Sequence, residues 1–302
     1  MTGARHDVHK AYCAACGSMV SRRFRPGPDG RLEATCPRCG SLERHRFLSL
    51  LLGALEPDLH DLDTVVEIAP SRQSTPLLDR LGARRRISLD LGHDKREVDA
   101  LASLTALPLR DGSVDLLVCY HVLEHVPDDC SAMREISRVL SPRGIALLEV
   151  PIKRGVVTEE DPSATPDERV RRFGQSDHVR WYGDDFDDRL LAAGLSSTRV
   201  TPPTLVGEAA VKWFRLMAHE VVWVARHGTA AATPTAPHGS GLTAAFDAVL
   251  ADLARTQVRL DRARERADRL AAQRDALRAR PVVPQARHGA DVLTRLRRAV
   301  HL

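Results

Sequence analysis

Three groups of residues have the types and spacing to do chemistry. Cys13-Ala-Ala-Cys16 and Cys36-Pro-Arg-Cys39 are two CxxC knuckles separated by 19 residues, each followed by a glycine, Gly17 and Gly40. Four thiolates at this spacing form the tetrahedral set that suits structural Zn²⁺, and the glycines let the chain turn so that amides approach the sulfurs. A redox pair is the rival reading of any CxxC. The second group is acidic: Glu67, Asp90 and Asp99 each fall at or beside the end of an apolar, β-branched run. A carboxylate at a strand end can accept hydrogen bonds from both hydroxyls of a ribose, although a single such residue often only caps a helix.

The third group is His121-Val-Leu-Glu124-His125. Its H-x-x-E-H pattern matches that of inverted zinc peptidases, with imidazoles at i and i+4. The context opposes that reading: the motif follows a buried strand and precedes Pro127, and no third ligand stands at a plausible place. The plainer reading is a local Glu124–His125 hydrogen bond that orients the loop. Further on, His178 is the best general-base candidate, since its reference pKa lies near neutrality, with Tyr182 or Asp177 to orient it. The rival there is a solvated, salt-bridged lid. Cys119 reads as a small buried hydrophobe, and Cys130 precedes a helix. Neither is expected to be a nucleophile.

The elements that must position these groups are legible from periodicity. Thr64–Ala69, Arg86–Leu91, Val98–Leu104, Val114–Tyr120 and Ile145–Val150 read as strands, with Ser197–Val200 and His219–Ala225 closing the set. Helices are expected over Leu42–Leu55, Thr75–Leu81, Ser131–Leu140 and Trp181–Gly194. Short strands are expected in the ribbon over Val20–Arg25 and Arg31–Thr35. Near-continuous apolar strands alternating with helices predict an α/β, doubly wound (Rossmann-like) seven-stranded sheet. In such a sheet ligands bind outside the carboxyl ends of the strands, where Glu67, Asp90 and the His121 loop fall. The charged stretch 153–180 is too long for an ordinary connection.

The 302 residues suffice for one large domain with appendages, and no apolar run is long enough to span a membrane. With no signal-peptide pattern at the start, a cytoplasmic location is expected. The net charge of +4 conceals an asymmetry, because Asp252–Leu302 carries 13 arginines against 6 acidic residues. A weakly acidic body with a basic tail differs from a uniformly basic nucleic-acid binder. Residues 229–241 (TAAATPTAPHGSG) form an Ala/Thr/Pro-rich linker. Beyond it Phe246, Leu253, Leu260 and Ala267 at a, with Val249, Thr256, Ala263, Leu270 and Leu277 at d, suit a coiled coil, a single surface helix being the rival. The expected division is a zinc ribbon over 1–45, an α/β domain over 46–228, a linker over 229–241, a coiled-coil helix over 242–280 and a basic tail over 281–302.

The order Glu67-x-Ala-Pro, Asp90, Asp99, then LPLRDGSVD at Leu107–Asp115, HVLEH at His121–His125 and VLSPRG at Val139–Gly144 resembles the class I S-adenosylmethionine-dependent methyltransferases, in particular the type-11 group. CPRCGSLERHR, TEED and FGQSDHVRWYGDDFDDRL are similar to a bacterial subgroup with an N-terminal CxxC pair. The resemblance implies that Glu67, Ala69, Pro70 and Ser71 line the methionine and ribose side of S-adenosylmethionine. It implies further that Asp90 holds the ribose, that Asp99 and Ala100 meet the adenine, and that Tyr120, His121 and Leu123 pass beneath the sulfonium. The first loop, EIAPSRQS, has none of the glycines the family carries there. His121, His178 and Tyr182 are then the candidate catalytic residues, and Cys13, Cys16, Cys36 and Cys39 the metal ligands. The expected activity is methyl transfer to an oxygen or nitrogen of a small-molecule or glycan acceptor. The alternatives are an RNA methyltransferase gripping nucleic acid with its ribbon, and a non-catalytic scaffold, a homo-oligomer through the coil.

Overall fold

The computed structural model describes residues 11–28, 30–92, 97–228 and 266–274. The chain divides into two units, 1–247 and 248–302. The first unit opens with the hairpin β1 (Ala11–Cys13) and β2 (Ser18–Val20), followed by a bridge between Arg25 and Thr35. The strands expected over Val20–Arg25 and Arg31–Thr35 are therefore not formed: the ribbon's ladder lies earlier, around the first knuckle, and the two expected segments meet only at the Arg25–Thr35 bridge. Helix α1 (Glu43–Ala54) leads out, burying Phe47, Leu48, Leu51 and Leu52.

The central sheet begins with β3 (Thr64–Ile68), buried along its whole length. It continues through α2 (Thr75–Asp79), β4 (Arg85–Asp90), the two-residue β5 (Ala100–Leu101) and β6 (Val114–Tyr120). Helix α3 (Asp129–Val139) is capped by the Asp128 side chain, which accepts from the Ser131 amide, and it runs directly into β7 (Leu140–Glu149). An insertion follows with β8 (Glu159–Glu160), α4 (Pro166–Phe173) and β9 (Arg180–Trp181), β8 and β9 pairing antiparallel. The unit closes with α5 (Phe186–Ala192), β10 (Leu195–Val200), α6 (Pro202–Val206), α7 (Glu208–Trp213) and β11 (Val222–His227).

The seven-stranded order is β10-β11-β7-β6-β3-β4-β5. β7, β6, β3, β4 and β5 are mutually parallel, and β11 pairs antiparallel with both β7 and β10. From β3 the chain winds outward to β4 and β5, then crosses to β6 and β7 on the other side. The order therefore reverses between β3 and β6, and a cleft opens outside the carboxyl ends of strands at such a reversal. Beneath it lies one apolar core containing Val66, Leu117, Met133, Ile136, Leu148 and Trp223.

Val98–Leu104, expected as a strand, shortens to Ala100–Leu101 because the Asp99 carboxylate folds back onto β4. In the second unit residues 266–274 are helical and Leu270 is exposed. The expected linker, the basic tail and the remaining heptad positions lie outside the described residues. Among the described residues no helix is long and apolar enough to cross a membrane.

Candidate active site

The reversal between β3 and β6 carries a cleft of about 670 Å³, lined by Glu67, Ala69 and Ser71 at and beyond the end of β3, Asp90 at the end of β4, and Tyr120, His121 and His125 at and beyond the end of β6. A smaller cleft of about 320 Å³, with Asp58, Asp115 and Arg143 among its walls, lies where β6 begins. Only the larger one sits at the carboxyl ends of the parallel strands.

Glu67 is buried at the end of β3. Its Oε2 accepts from Thr75 Oγ1 at 2.8 Å, while Oε1 has no hydrogen-bond partner. Burial pushes its carboxyl above the usual range, against hydrogen bonds from Ser74 and Thr75. Ala69 follows in the left-handed region, φ 51°, its amide donating to Leu89 O at 2.8 Å. The backbone thus turns sharply out of β3 without a glycine, at the strain a Cβ imposes there. Ser71 and Ser74 exchange hydrogen bonds across the loop, their hydroxyls 2.6 Å apart. Pro70 is buried off the cleft lining. Asp90 is half-buried at the end of β4, and its Oδ1 accepts from the Gly92 amide at 2.8 Å.

His121 also has a positive φ, 54°. Its Nδ1 lies 3.3 Å from Glu124 Oε1 and its Nε2 3.5 Å from Glu149 Oε1. Burial opposes charge on the ring, but the two carboxylates prevail and push its pKa up to about 10. At neutral pH it is an imidazolium braced between two acids, and a protonated ring cannot serve as a base. The Tyr120 hydroxyl is buried in the cleft wall without a hydrogen-bond partner.

Five more expected site residues lie off the cleft lining. Asp99 leaves the adenine position: its Oδ2 accepts from Ser88 N at 2.8 Å and Ser88 Oγ at 2.6 Å, clamping β5 to β4. Those hydrogen bonds hold its carboxyl below the ordinary range. Ala100 lies beside it in β5, and the cleft wall is made instead by Ala102, Ser103, Leu104 and Thr105. Leu123 is fully buried in the core. Tyr182 is a core residue too. Its ring packs edge-on to Phe186, centroids 4.6 Å apart, and its hydroxyl donates to Asp129 Oδ2 at 2.8 Å, so it does not reach the cleft. His178 is buried behind the wall, its Nδ1 3.0 Å from the Phe173 carbonyl oxygen, and burial lowers its pKa.

The charged insertion is a brace. Arg180, fully buried, donates to Leu123 O at 2.8 Å, Pro127 O at 2.9 Å and the Val126 carbonyl, so it grips the His121–Pro127 turn by its backbone. Glu160, Asp129 and Arg189 complete its ion network.

Pattern reading of the sequence missed the wall supplied by α1. Arg44 and His45 line the cleft, and His45 stands 3.3 Å from Ser71 Oγ. His45 Nδ1 accepts from the Leu42 amide at 3.0 Å, and burial followed by the neighbouring Arg44 and Arg46 lowers its pKa to about 3. The sequence signal was its place directly after the second knuckle, in a helix whose apolar face had to meet the sheet.

Cys13, Cys16, Cys36 and Cys39 converge with their sulfurs within 4.8 Å of one another. Cys13 Sγ and Cys39 Sγ are 3.7 Å apart, close to the ~3.8 Å edge of a tetrahedron with zinc–thiolate bonds of about 2.3 Å. The Ser41 hydroxyl lies 3.2 Å from both, and Gly40 N donates to Cys36 O to close the second knuckle. The donor set and spacing fit a closed structural Zn²⁺ site.

Residues 66–148 match the family model described as a methyltransferase domain. An uncharacterized methyltransferase of Mycobacteroides abscessus is 35% identical over 89 residues, covering 30% of this chain and 32% of that protein. One from Mycobacterium sp. strain KMS is 44% identical over 54 residues, 18% of this chain and 21% of that protein. The chain thus spans a third or less of the length of these relatives. Among solved structures, a S-adenosylmethionine dependent methyltransferase from Mesorhizobium loti is 14% identical with a TM-score of 0.43, over 61% of this chain and 98% of that one. The matched segment runs from within β3 to Leu148 in β7 and carries the reversal, the acidic strand end of Glu67 and the His121 loop, so this part of the chain is similar to a methyltransferase domain.

Proposed function

We propose that the chain is a methyltransferase that takes its methyl group from S-adenosylmethionine and passes it to an oxygen or nitrogen of a small-molecule or glycan acceptor. The observation that carries this reading is the pair of acidic strand ends, Glu67 on β3 and Asp90 on the adjacent β4, that line the reversal cleft, one with an unpartnered buried oxygen. The cleft volume of about 670 Å³ lies in the range of nucleoside-sized ligand sites. Asp90 would hold the ribose hydroxyls, Glu67 and the Ala69–Ser71 backbone the amino-acid end, and Ala102–Thr105 the base. When bound, S-adenosylmethionine supplies a sulfonium-activated methyl group.

The remaining work of the chain is positional. The imidazolium of His121, between Glu124 and Glu149, keeps the floor of the cleft rigid and offsets part of their buried charge. The Arg180 grip on the following turn fixes the β6 side of the wall. Holding two reactants in line lowers a displacement barrier by several kcal/mol, of the order of 7–11 at best, without a protein nucleophile.

The acceptor assignment rests on charge. Among the described residues Asp90, Asp128 and Asp177 line the cleft, against Arg44 as the one arginine or lysine, and such a rim disfavours a polyphosphate backbone. The exposed Arg22, Arg23, Arg25 and Arg38 of the ribbon support the second reading, an RNA acceptor. Calorimetric titration with S-adenosylhomocysteine tests the donor half. Binding is expected, with a loss of tenfold or more in Asp90→Ala, and absence of binding to zinc-loaded protein would overturn the reading. Binding of structured RNA that weakens steeply with salt would move the acceptor to the second reading.

A further inference from the structure

Among the described residues a second convergence of metal-binding side chains exists beside the four cysteines: Glu124, His125 and His178, whose ligand atoms lie within 4.8 Å of one another. Glu124 is fully buried, and neither of its oxygens has a hydrogen-bond partner. The nearest cationic group is the His121 ring, whose Nδ1 lies 3.3 Å from Oε1 in an ion contact without hydrogen-bond alignment. That ring is shared with Glu149, 3.5 Å from its Nε2, so two buried carboxylates face one cation, and a buried carboxylate with neither oxygen hydrogen-bonded stays costly.

The two histidines are prepared in the way metal-ligating histidines are. His178 Nδ1 stands 3.0 Å from the Phe173 carbonyl, an acceptor only, so that nitrogen carries the proton and Nε2 keeps its lone pair. His125 Nδ1 faces Asp177 Oδ2 at 3.3 Å, which leaves Nε2 of that ring as the free donor atom as well. The rings stand edge to face, centroids 4.7 Å apart at 81°. Their backbones are tied together, since Val179 N donates to Glu124 O at 2.9 Å and Arg180 grips Leu123 O at 2.8 Å. The H-x-x-E-H pattern is therefore used in part. Its first histidine bridges Glu124 and Glu149, and the third donor comes from 53 residues beyond His125, through the insertion.

We propose that Glu124, His125 and His178 form a divalent-cation site on the β6 side of the cleft, suited to Zn²⁺ or another first-row transition ion. Two imidazoles and one carboxylate are a set these ions accept, with at least one position left open. His125 and Asp177 line the cleft, so the open position faces the space where an acceptor would enter, and it would take a water or an oxygen of that acceptor. The site goes beyond methyl-donor binding and does not depend on it.

The test is metal content of the full-length chain, equilibrated with excess Zn²⁺, desalted and measured by mass spectrometry of the metal. Two zinc ions per chain are expected for the wild type, and one for His178→Ala and for Glu124→Gln. One ion in the wild type, or two in His178→Ala, overturns the site. Because the variants remove buried groups, Co²⁺ titration of the wild type gives an independent reading. One cobalt should show thiolate charge-transfer absorption and a second only weak d–d bands; absence of the thiolate-free cobalt overturns the proposal. S-adenosylhomocysteine binding measured on the same samples keeps a failure here distinct from a failure of the methyltransferase reading.

Discussion

At the scale of single residues, Ala69 and Tyr182 give the sharpest tests. Ala69 occupies φ 51° at the mouth of the cleft, a conformation that costs an L-residue about 1–2 kcal/mol and glycine almost nothing. Ala69→Gly should therefore raise stability by about 1 kcal/mol, less the greater entropy of the unfolded glycine chain. The check is a higher urea midpoint at unchanged slope, with S-adenosylhomocysteine affinity no lower than in the wild type. An unchanged or lower midpoint would mean that the turn is not strained. Tyr182 makes its hydroxyl contact with Asp129, away from the cleft. Tyr182→Phe should cost about 1–2 kcal/mol of stability, the price of one buried hydrogen bond to a charged group. Its turnover with a working acceptor should equal that of the wild type, and a large fall in kcat in a well-folded Tyr182→Phe would return this residue to the acceptor site.

At the scale of elements, two arginines decide how segments distant in the chain meet. Arg46, on α1, is fully buried and donates to Ala34 O, Ser41 O, Phe214 O and Arg215 O, so one side chain joins the ribbon, α1 and the chain after α7. Removing it strands four carbonyls at once. Arg46→Met is expected to destabilise by about 3–5 kcal/mol. Arg46→Lys should recover less than half of that, because one ammonium cannot reproduce a planar fork reaching four acceptors. Urea unfolding of the three proteins checks both statements. Arg180 plays the same part for the insertion and the turn after β6. Periodicity located the strands of the central sheet and α1, α3 and α5 to within about five residues, because those elements bury a regular face, but it misplaced the ribbon strands. It was silent on the insertion, whose fold comes from a capping box at Thr165 and Glu168, a left-handed Gly174 at the end of α4 and buried charge.

At the scale of the whole molecule, the four-cysteine lobe leads directly into the cleft wall. The knuckle that closes on Cys39 runs through Ser41 into α1, and α1 delivers Arg44 and His45 to the ligand space. Stripping zinc with a strong chelator should release the ribbon, loosen the start of α1 and lower S-adenosylhomocysteine affinity by tenfold or more. The central sheet, which has its own core, should persist in the far-ultraviolet dichroism. Calorimetry before and after chelation, with recovery on adding Zn²⁺ back, checks the coupling. Retained affinity in the metal-free protein would mean that the ribbon only decorates the domain.

The amino-acid sequence by itself determined what depends on neighbours along the chain. The CxxC pairs, the apolar strand runs, the acids at the ends of β3 and β4 and the placement of the His121 loop after β6 follow from spacing and side-chain type. Only the tertiary structure decided where each polar side chain points and what it meets. Asp99 stands at a strand edge that would admit a ligand, yet Ser88 on the adjacent strand takes its carboxylate. His178 is far from Glu124 in sequence, and the insertion brings the two into one cluster. Tyr182, polar and well placed by number, is drawn into the core by Phe186 and Asp129. The reason is physical: a strand's register constrains its backbone to within an ångström or so, whereas a side chain at its end chooses among partners that packing alone supplies.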